Sequence, residues 1–120
     1  MLLKNLCIVG LGGMLGSMLR YLTWFLVRHD SFPYATFIVN IAGSLLIGTI
    51  MGVSARQEGF ANWRLFLATG ICGGFTTFSA FAWENMQFLQ QERYMSFAIY
   101  TGASVILGLA AVALGYWLTK

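Results

Sequence analysis

The chain has 120 residues, of which 58% are hydrophobic and only 9% are charged. Because about a quarter of the residues in a water-soluble domain are normally charged, this composition predicts an integral membrane protein. The net charge of +3 comes from scattered residues without a basic run, which argues against a nucleic acid partner. The two cysteines form no CxxC pair and have no neighbouring His, so neither a zinc site nor a disulfide framework is expected.

Four apolar stretches are separated by short polar segments, and each is long enough for a transmembrane helix, which needs about 20 mainly apolar residues. We predict an all-α integral membrane protein in which residues 1–120 form a single four-helix transmembrane domain. The spans are expected at about 3–27, 34–54, 63–89 and 94–118. Pro33 suits the start of the second helix, where its missing N–H costs nothing. Such short connections favour antiparallel neighbouring helices.

The third stretch contains the sequence GGFTTFSAF at residues 73–81, which places two glycines and several hydroxyl side chains inside an apolar run. Glycine allows backbone torsions that other residues avoid, and Thr and Ser side chains compete for backbone hydrogen bonds. We therefore predict that the third helix is broken in the middle of the membrane at residues 73–77. Non-helical backbone is tolerated at that depth only inside protein or beside a water-filled cavity, so this segment is the candidate site.

The basic residues are divided almost evenly between the two predicted membrane surfaces. On the side of the termini lie Lys4, Arg56, Arg64 and Lys120, and on the other side lie Arg28, Arg93 and, depending on its depth, Arg20. Because the positive-inside rule acts through this difference, a small bias favours insertion in both orientations. An antiparallel homodimer would then supply the inverted repeat that larger transporters encode in one chain.

Asn40 lies in the middle of the second span, on one helix face with Thr36 and Ser44. Its amide either bonds to a neighbouring helix, as is common in membrane proteins, or donates to an anion in the interior. Phe78 and Phe81 share a face just after the predicted break. They either fill apolar space or turn their electropositive ring edges towards a dehydrated anion.

Further polar side chains lie in the third and fourth spans. A track of hydroxyl donors is predicted from Thr77, Ser79, Tyr100 and Ser104, although a buried Tyr often bonds only to a neighbouring carbonyl. The charges well inside the predicted spans are Arg20 and Glu84, and such charges are functional candidates. Arg20 either snorkels to the surface or serves the site, whereas Glu84 pairs with an Arg, lines a vestibule or carries a proton.

Three motifs follow one another in this four-span context: GGMLG at 12–16 with Arg20 and Tyr21, VNIAGS at 39–44, and GGFTTFSAF at 73–81 with Glu84. With these motifs the chain resembles, over nearly its whole length, the Fluc family of small bacterial fluoride channels, also called CrcB proteins. The resemblance implies an antiparallel dual-topology homodimer in the cytoplasmic (inner) membrane, surrounded by lipid. Two pores would export cytoplasmic fluoride passively down its electrochemical gradient.

The resemblance also implies a role for each candidate residue. A structural sodium ion at the dimer centre would be held by the backbone carbonyls of Gly73 and Thr76, each supplied twice. Asn40 would be the pore amide, Phe78 and Phe81 the ring-edge ligands, and Arg20 a vestibule charge. The polar track would include Ser79, Tyr100 and Ser104, while Gly108 occupies a position where another Ser is expected.

Two other functions compete with the channel. A proton-coupled efflux transporter of the small multidrug type shares the size and the four spans, but it relies on a carboxylate in its first span. Here Glu84 in the third span is the embedded carboxylate. A non-transporting accessory subunit would account for the glycines but not for the polar residues. An enzyme is not expected, because His29 lies in a loop and no nucleophile with a paired base is visible.

Overall fold

The computed structural model describes residues 1–27 and 31–120, and every regular element among these residues is a helix. The predicted surface charge of Arg28 and the loop residue His29 lie outside the described residues. The helices are α1 (Leu2–Leu26), α2 (Tyr34–Arg56), α3 (Ala61–Arg64), a π-helical segment (Leu65–Cys72), α4 (Gly73–Phe75), α5 (Phe78–Gln90) and α6 (Tyr94–Thr119).

Four helical segments are long and apolar enough to cross a membrane: Leu2–Leu26, Tyr34–Arg56, Ala61–Gln90 and Tyr94–Thr119. The third of these, called the third segment below, combines α3, the π-helical segment, α4 and α5. The prediction of an all-α architecture with four apolar spans is therefore confirmed for the described residues. Most large apolar side chains face outwards, as expected where the surrounding solvent is lipid rather than water.

The helix connections are compact. Gly59, in the turn before α3, has a φ of 75°, a left-handed conformation that glycine adopts without a steric penalty. Glu92 has a φ of 56° at the end of α5. Its N–H donates to the Leu89 carbonyl at 3.1 Å and the Arg93 N–H donates to the Phe88 carbonyl at 2.8 Å. These two bonds form a Schellman motif, which satisfies the last carbonyls of the helix before the chain reverses into α6.

Glycines allow α1 to approach the backbone of the third segment. A Cβ atom added to Gly12 would lie 2.8 Å from the Gly70 Cα atom, and one on Gly16 would lie 2.8 Å from the Phe75 nitrogen. Likewise, a Cβ atom on Gly74 would lie 2.5 Å from the Gly13 carbonyl oxygen. Contacts this short leave no room for a methyl group, so small residues set the distance between these helices.

The helices α2 and α6 form the other closely packed pair. A Cβ atom on Gly115 would lie 2.7 Å from the Thr49 nitrogen, and one on Gly52 would lie 2.7 Å from the Tyr116 carbonyl oxygen. The third segment touches α1 along its first half, while α5 contacts α6 and α2. As a result, the junction between α4 and α5 lies where side chains from α1, α2 and α6 can reach it.

Candidate functional site

Two residues with extended backbone, Thr76 and Thr77, separate α4 from α5 and are called the Thr76–Thr77 linker below. Their φ and ψ angles are −86° and 157° for Thr76, and −150° and 118° for Thr77. The Thr76 hydroxyl donates to the Cys72 carbonyl at 2.8 Å. The Thr77 hydroxyl accepts the Ala80 N–H at 3.2 Å and so caps α5, a role that Thr commonly fills. Each hydroxyl therefore satisfies backbone on its own side of the linker.

Asn40 on α2 binds the backbone of Thr77 with both ends of its carboxamide. The Thr77 N–H donates to Oδ1 at 2.9 Å, and Nδ2 donates to the Thr77 carbonyl at 3.2 Å. The first bond fixes the orientation of the amide, because only its oxygen can accept an N–H. One Nδ2 hydrogen remains for another acceptor. Two roles were open for Asn40. The structure shows the first, a bond to a neighbouring segment, and the unused Nδ2 hydrogen is compatible with the second, donation to an anion.

Arg20 on α1 reaches the same region. Its Nε donates to the carbonyl oxygen of Gly74 at 3.0 Å. The guanidinium group carries further N–H donors that this bond does not use. The backbone next to the linker is therefore bound by one cationic side chain from α1 and one amide from α2.

These contacts leave two particular carbonyl groups without the donors of a regular helix. In an α-helix each N–H donates to the carbonyl four residues earlier. The Thr77 N–H would then donate to the Gly73 carbonyl, and the Ala80 N–H to the Thr76 carbonyl. Instead, the Thr77 N–H donates to Asn40 and the Ala80 N–H donates to the Thr77 hydroxyl. The carbonyls of Gly73 and Thr76, which were predicted as sodium ligands, thus lack these donors. Oxygen ligands of this kind suit a hard cation.

Glu84 on α5 accepts hydrogen bonds from two neutral side chains. Thr36 donates to Oε2 at 2.8 Å, and the Tyr100 hydroxyl donates to Oε1 at 2.9 Å. Tyr100 is fully buried, with its ring centroid 5.0 Å from that of Phe81 and 5.2 Å from that of Phe32. The Tyr100 hydroxyl therefore bonds to a carboxylate rather than to a carbonyl.

Thr36 was not among the predicted site residues, although its bond to Glu84 makes it part of the arrangement. Its position four residues before Asn40 places the two side chains on one face of α2. That spacing marked Thr36 as part of a polar stripe. Its partner lies 48 residues away in the sequence, so the spacing alone did not identify the contact.

A cavity of about 400 Å³ opens beside the linker and is called the Phe78 cavity below. Its walls come from α2, the third segment and α6. Among the predicted site residues, it is lined by Asn40, Gly73, Thr76, Thr77, Phe78, Phe81 and Ser104. The Ser104 hydroxyl oxygen is buried and has no hydrogen-bond partner among the described residues. A buried polar atom without a partner is uncommon, so this hydroxyl is available for a ligand or water.

A second cavity of about 350 Å³, called the Arg20 cavity below, lies between α1, α2 and α5. The predicted site residues that line it are Arg20, Thr77 and Glu84, together with Thr36 and Ser17. Thr77 lines both cavities. The candidate residues thus form two groups that meet at Thr77. Those of the Arg20 cavity include charged side chains, whereas those of the Phe78 cavity are neutral donors and aromatic rings.

Phe78, Ser79 and Gly108 differ in their surroundings. Phe78 is 79% exposed in the isolated chain, and its ring centroid is 5.9 Å from that of Phe81. Ser79 is also exposed, with its hydroxyl 3.3 Å from the Thr77 hydroxyl. Gly108 faces Ser44, whose hydroxyl oxygen would lie 3.6 Å from a Cβ atom added at Gly108. A polar side chain at position 108 would therefore point towards Ser44.

The chain matches known proteins along nearly its whole length. The model of the CrcB-like protein family, described as Camphor Resistance (CrcB), matches residues 7–116. The fluoride-specific ion channel FluC of Flavobacterium psychrophilum is 45% identical over 122 residues, covering 98% of both chains. The protein of the same name from Phocaeicola vulgatus is 42% identical over 121 residues, covering 98% of this chain and all of the relative.

A third relative shows the same full-length relationship. The fluoride-specific ion channel FluC of Ignicoccus hospitalis is 41% identical over 114 residues, which cover 94% of this chain and 93% of the relative. The similarity therefore extends over all four apolar spans and beyond the motifs that first carried the resemblance. The chain is a multi-pass membrane protein and belongs to the CrcB-like protein family.

Proposed function

We propose that this protein is a fluoride-selective channel that lets cytoplasmic fluoride leave the cell down its electrochemical gradient. Its full-length relatives are named as fluoride-specific channels, and the lining of the Phe78 cavity provides a physical reason why an anion would bind here. The observation that carries the proposal is the buried Ser104 hydroxyl, which has no partner among the described residues and shares this cavity with the Asn40 amide. Unused donors at a neutral cavity suit a small anion.

Fluoride is small and strongly hydrated, so its entry into a narrow pore requires donors that replace its water. The unused Nδ2 hydrogen of Asn40 and the hydroxyls of Thr77 and Ser104 serve this purpose. The electropositive ring edges of Phe78 and Phe81 add attraction without a fixed charge. Because none of these groups is a cation, fluoride binds weakly enough to leave again, which conduction requires.

The Arg20 cavity is the vestibule in this proposal. Arg20 raises the local concentration of anions, as a positive charge in a cleft with low-dielectric walls does. Glu84 stands in the same cavity, where the hydroxyls of Thr36 and Tyr100 hold its carboxylate in place. Thr77 then connects the vestibule to the Phe78 cavity, because it lines both, and the Ser79 hydroxyl lies 3.3 Å from the Thr77 hydroxyl.

The functional unit is an antiparallel homodimer in which the break at the Thr76–Thr77 linker lies in the middle of the membrane. Two observations support this part of the proposal. Phe78 is 79% exposed beside the extended backbone, and the Phe78 cavity lies open next to it. Non-helical backbone facing lipid is strongly unfavourable, so a second copy is needed to cover this side. Two copies give two pores, in the cytoplasmic membrane of a bacterium.

A structural sodium ion fits at the centre of such a dimer. The carbonyls of Gly73 and Thr76 lack their intrahelical donors, and each copy supplies one pair. Four carbonyl oxygens resemble the coordination that hard cations accept. The carbonyls of Gly73 and Thr76 would hold the ion, whose positive charge would be attracted to their oxygens and would link the two third segments. The hydrogen bonds of Asn40, Thr77 and Arg20 fix the backbone around these carbonyls.

The channel is tested by fluoride efflux from liposomes that contain the purified protein. A potassium ionophore clamps the membrane potential, and chloride is the comparison anion. We expect rapid fluoride release with negligible chloride release, and no effect of an imposed proton gradient beyond its electrical contribution. Release that follows the proton gradient would instead indicate the proton-coupled transporter, which no relative named above supports.

A further inference from the structure

The Asn40 carboxamide satisfies both backbone groups of Thr77, as a neighbouring peptide group would. Its oxygen accepts the Thr77 N–H at 2.9 Å and its nitrogen donates to the Thr77 carbonyl at 3.2 Å. Within a membrane such backbone groups must find partners inside the protein. A single side chain from α2 therefore holds the residue at which the third segment resumes its helix.

This contact determines which carbonyl groups are free. The Thr77 N–H is the donor that a continuous α-helix would give to the Gly73 carbonyl. Thr76 is extended, with a ψ of 157°, and Asn40 accepts the N–H that this conformation turns away from Gly73. The Gly73 carbonyl is therefore left to bind another group. The Gly74 carbonyl, by contrast, accepts Nε of Arg20 at 3.0 Å. Neighbouring carbonyls therefore differ in availability, and side chains from two other helices cause the difference.

We propose that Asn40 is a positioning residue for the sodium site. Its Oδ1 withholds the Thr77 N–H from Gly73 and so keeps the Gly73 carbonyl open for the cation, which Asn40 itself does not touch. The inference rests on the sodium ion of the proposed function and adds a residue on a different helix to it. The two ends of one carboxamide would then have separate tasks, since Asn40 lines the Phe78 cavity and one Nδ2 hydrogen is left to donate to an anion there.

The test measures sodium binding without measuring flux. The thermal unfolding of the purified full-length protein is followed in detergent by the fluorescence of its four Trp residues. Sodium is varied against choline at constant ionic strength. A cation that binds the folded protein raises the unfolding temperature with its concentration. The sodium concentration at which this rise begins reports the affinity of each variant.

The Asn40→Ala variant removes both bonds to Thr77, which favour the extended conformation at Thr76, so the Thr77 N–H can turn back to the Gly73 carbonyl. We expect it to require at least ~10-fold more sodium, the change that corresponds to one lost, well-placed ligand interaction. Asn40→Asp keeps an acceptor oxygen for Thr77, so its sodium requirement should stay within ~3-fold of the wild type. Its negative charge nevertheless abolishes fluoride flux in liposomes, because it repels the anion from the pore.

A matched control lies further along the same helix. Thr49→Val removes a hydroxyl whose bond, at 2.9 Å, goes to the Leu45 carbonyl within α2. We expect this variant to keep the sodium requirement of the wild type. It therefore separates a general weakening of α2 from the specific loss of the contact with Thr77.

Several outcomes would overturn the inference. An Asn40→Ala variant that unfolds earlier at every sodium concentration, but with an unchanged sodium requirement, would show that Asn40 only joins two helices. If Asn40→Ala does not fold, the Asn40→Asp variant decides. Loss of its sodium effect would contradict the inference, whereas a retained sodium effect together with lost flux would support it. If sodium does not change the unfolding temperature of the wild type, the sodium site itself is refuted. If sodium does raise it, the sodium site stands even where the Asn40 variants contradict the role of Asn40.

Discussion

Arg20 and Gly74 are joined by a hydrogen bond of 3.0 Å from Nε to the carbonyl oxygen, although they lie 54 residues apart in the sequence. The bond connects α1 to the backbone three residues before Thr77. It uses one guanidinium N–H and leaves the others free of this bond, and Arg20 lines the Arg20 cavity. Arg20 therefore combines a structural contact with a positive charge at the proposed vestibule, and the two roles can be separated by substitution.

Arg20→Gln should lower fluoride flux by roughly 3- to 10-fold at low ionic strength and by less at high ionic strength. The amide can still donate to the Gly74 carbonyl, but the charge that concentrates anions is gone, and salt screens that charge in the wild type. Liposome efflux at two salt concentrations provides the measurement. Lys4→Gln is the control, because it makes the same change in net charge near the start of α1 and should leave the flux unchanged. A salt-independent loss would assign Arg20 to structure alone.

Phe78→Ile should reduce fluoride flux by about 10-fold or more, because an aliphatic side chain has no electropositive ring edge. The side chain is 79% exposed in the isolated chain, so its loss should disturb the protomer little. Phe66→Ile is a suitable control, since the Phe66 ring meets Trp63 in an edge contact with centroids 6.3 Å apart. Fluoride efflux is compared at equal amounts of folded protein. Equal flux in wild type and Phe78→Ile would reduce Phe78 to a packing residue.

Tyr100→Phe should destabilise the protein by about 1–3 kcal/mol, because it keeps the ring but leaves a carboxylate oxygen of Glu84 without its donor. The measurement is unfolding of the purified protein in detergent. In the double variant with Glu84→Gln, the loss should be smaller than the sum of the two single losses, since the pair is then already uncoupled. Tyr94→Phe, at the exposed start of α6, serves as the control. Strict additivity would contradict the bond between Tyr100 and Glu84.

The four apolar spans and the all-helical class were predictable because both depend on local patterns of side chains. Length and hydropathy identify a membrane helix without reference to the rest of the chain. The motifs at 12–16, 39–44 and 73–81 likewise identified the family, which the full-length relatives confirm. The helical caps at the linker also follow local chemistry, since Thr favours such positions.

The contacts between distant residues were not predictable in the same way. The hydroxyl spacing on α2 pointed to one polar face, but nothing local to Thr36 indicates that it meets Glu84. The π-helical segment Leu65–Cys72 was also missed, because its apolar sequence is equally compatible with an α-helix. For Asn40 the local pattern left two roles open, and the bonds to Thr77 became visible only once α2 and the third segment were placed together.

Gly16→Ala should prevent correct folding, whereas Gly10→Ala on the same helix should be tolerated. A Cβ atom at Gly16 would lie 2.8 Å from the backbone nitrogen of Phe75, while one at Gly10 meets nothing within 4 Å. The first change pushes α1 away from the segment that carries the linker. The second improves helix propensity by up to about 1 kcal/mol. The yield of folded protein on size-exclusion chromatography and its unfolding temperature provide the measurements. A folded, fully active Gly16→Ala variant would show that α1 does not hold the third segment at this distance.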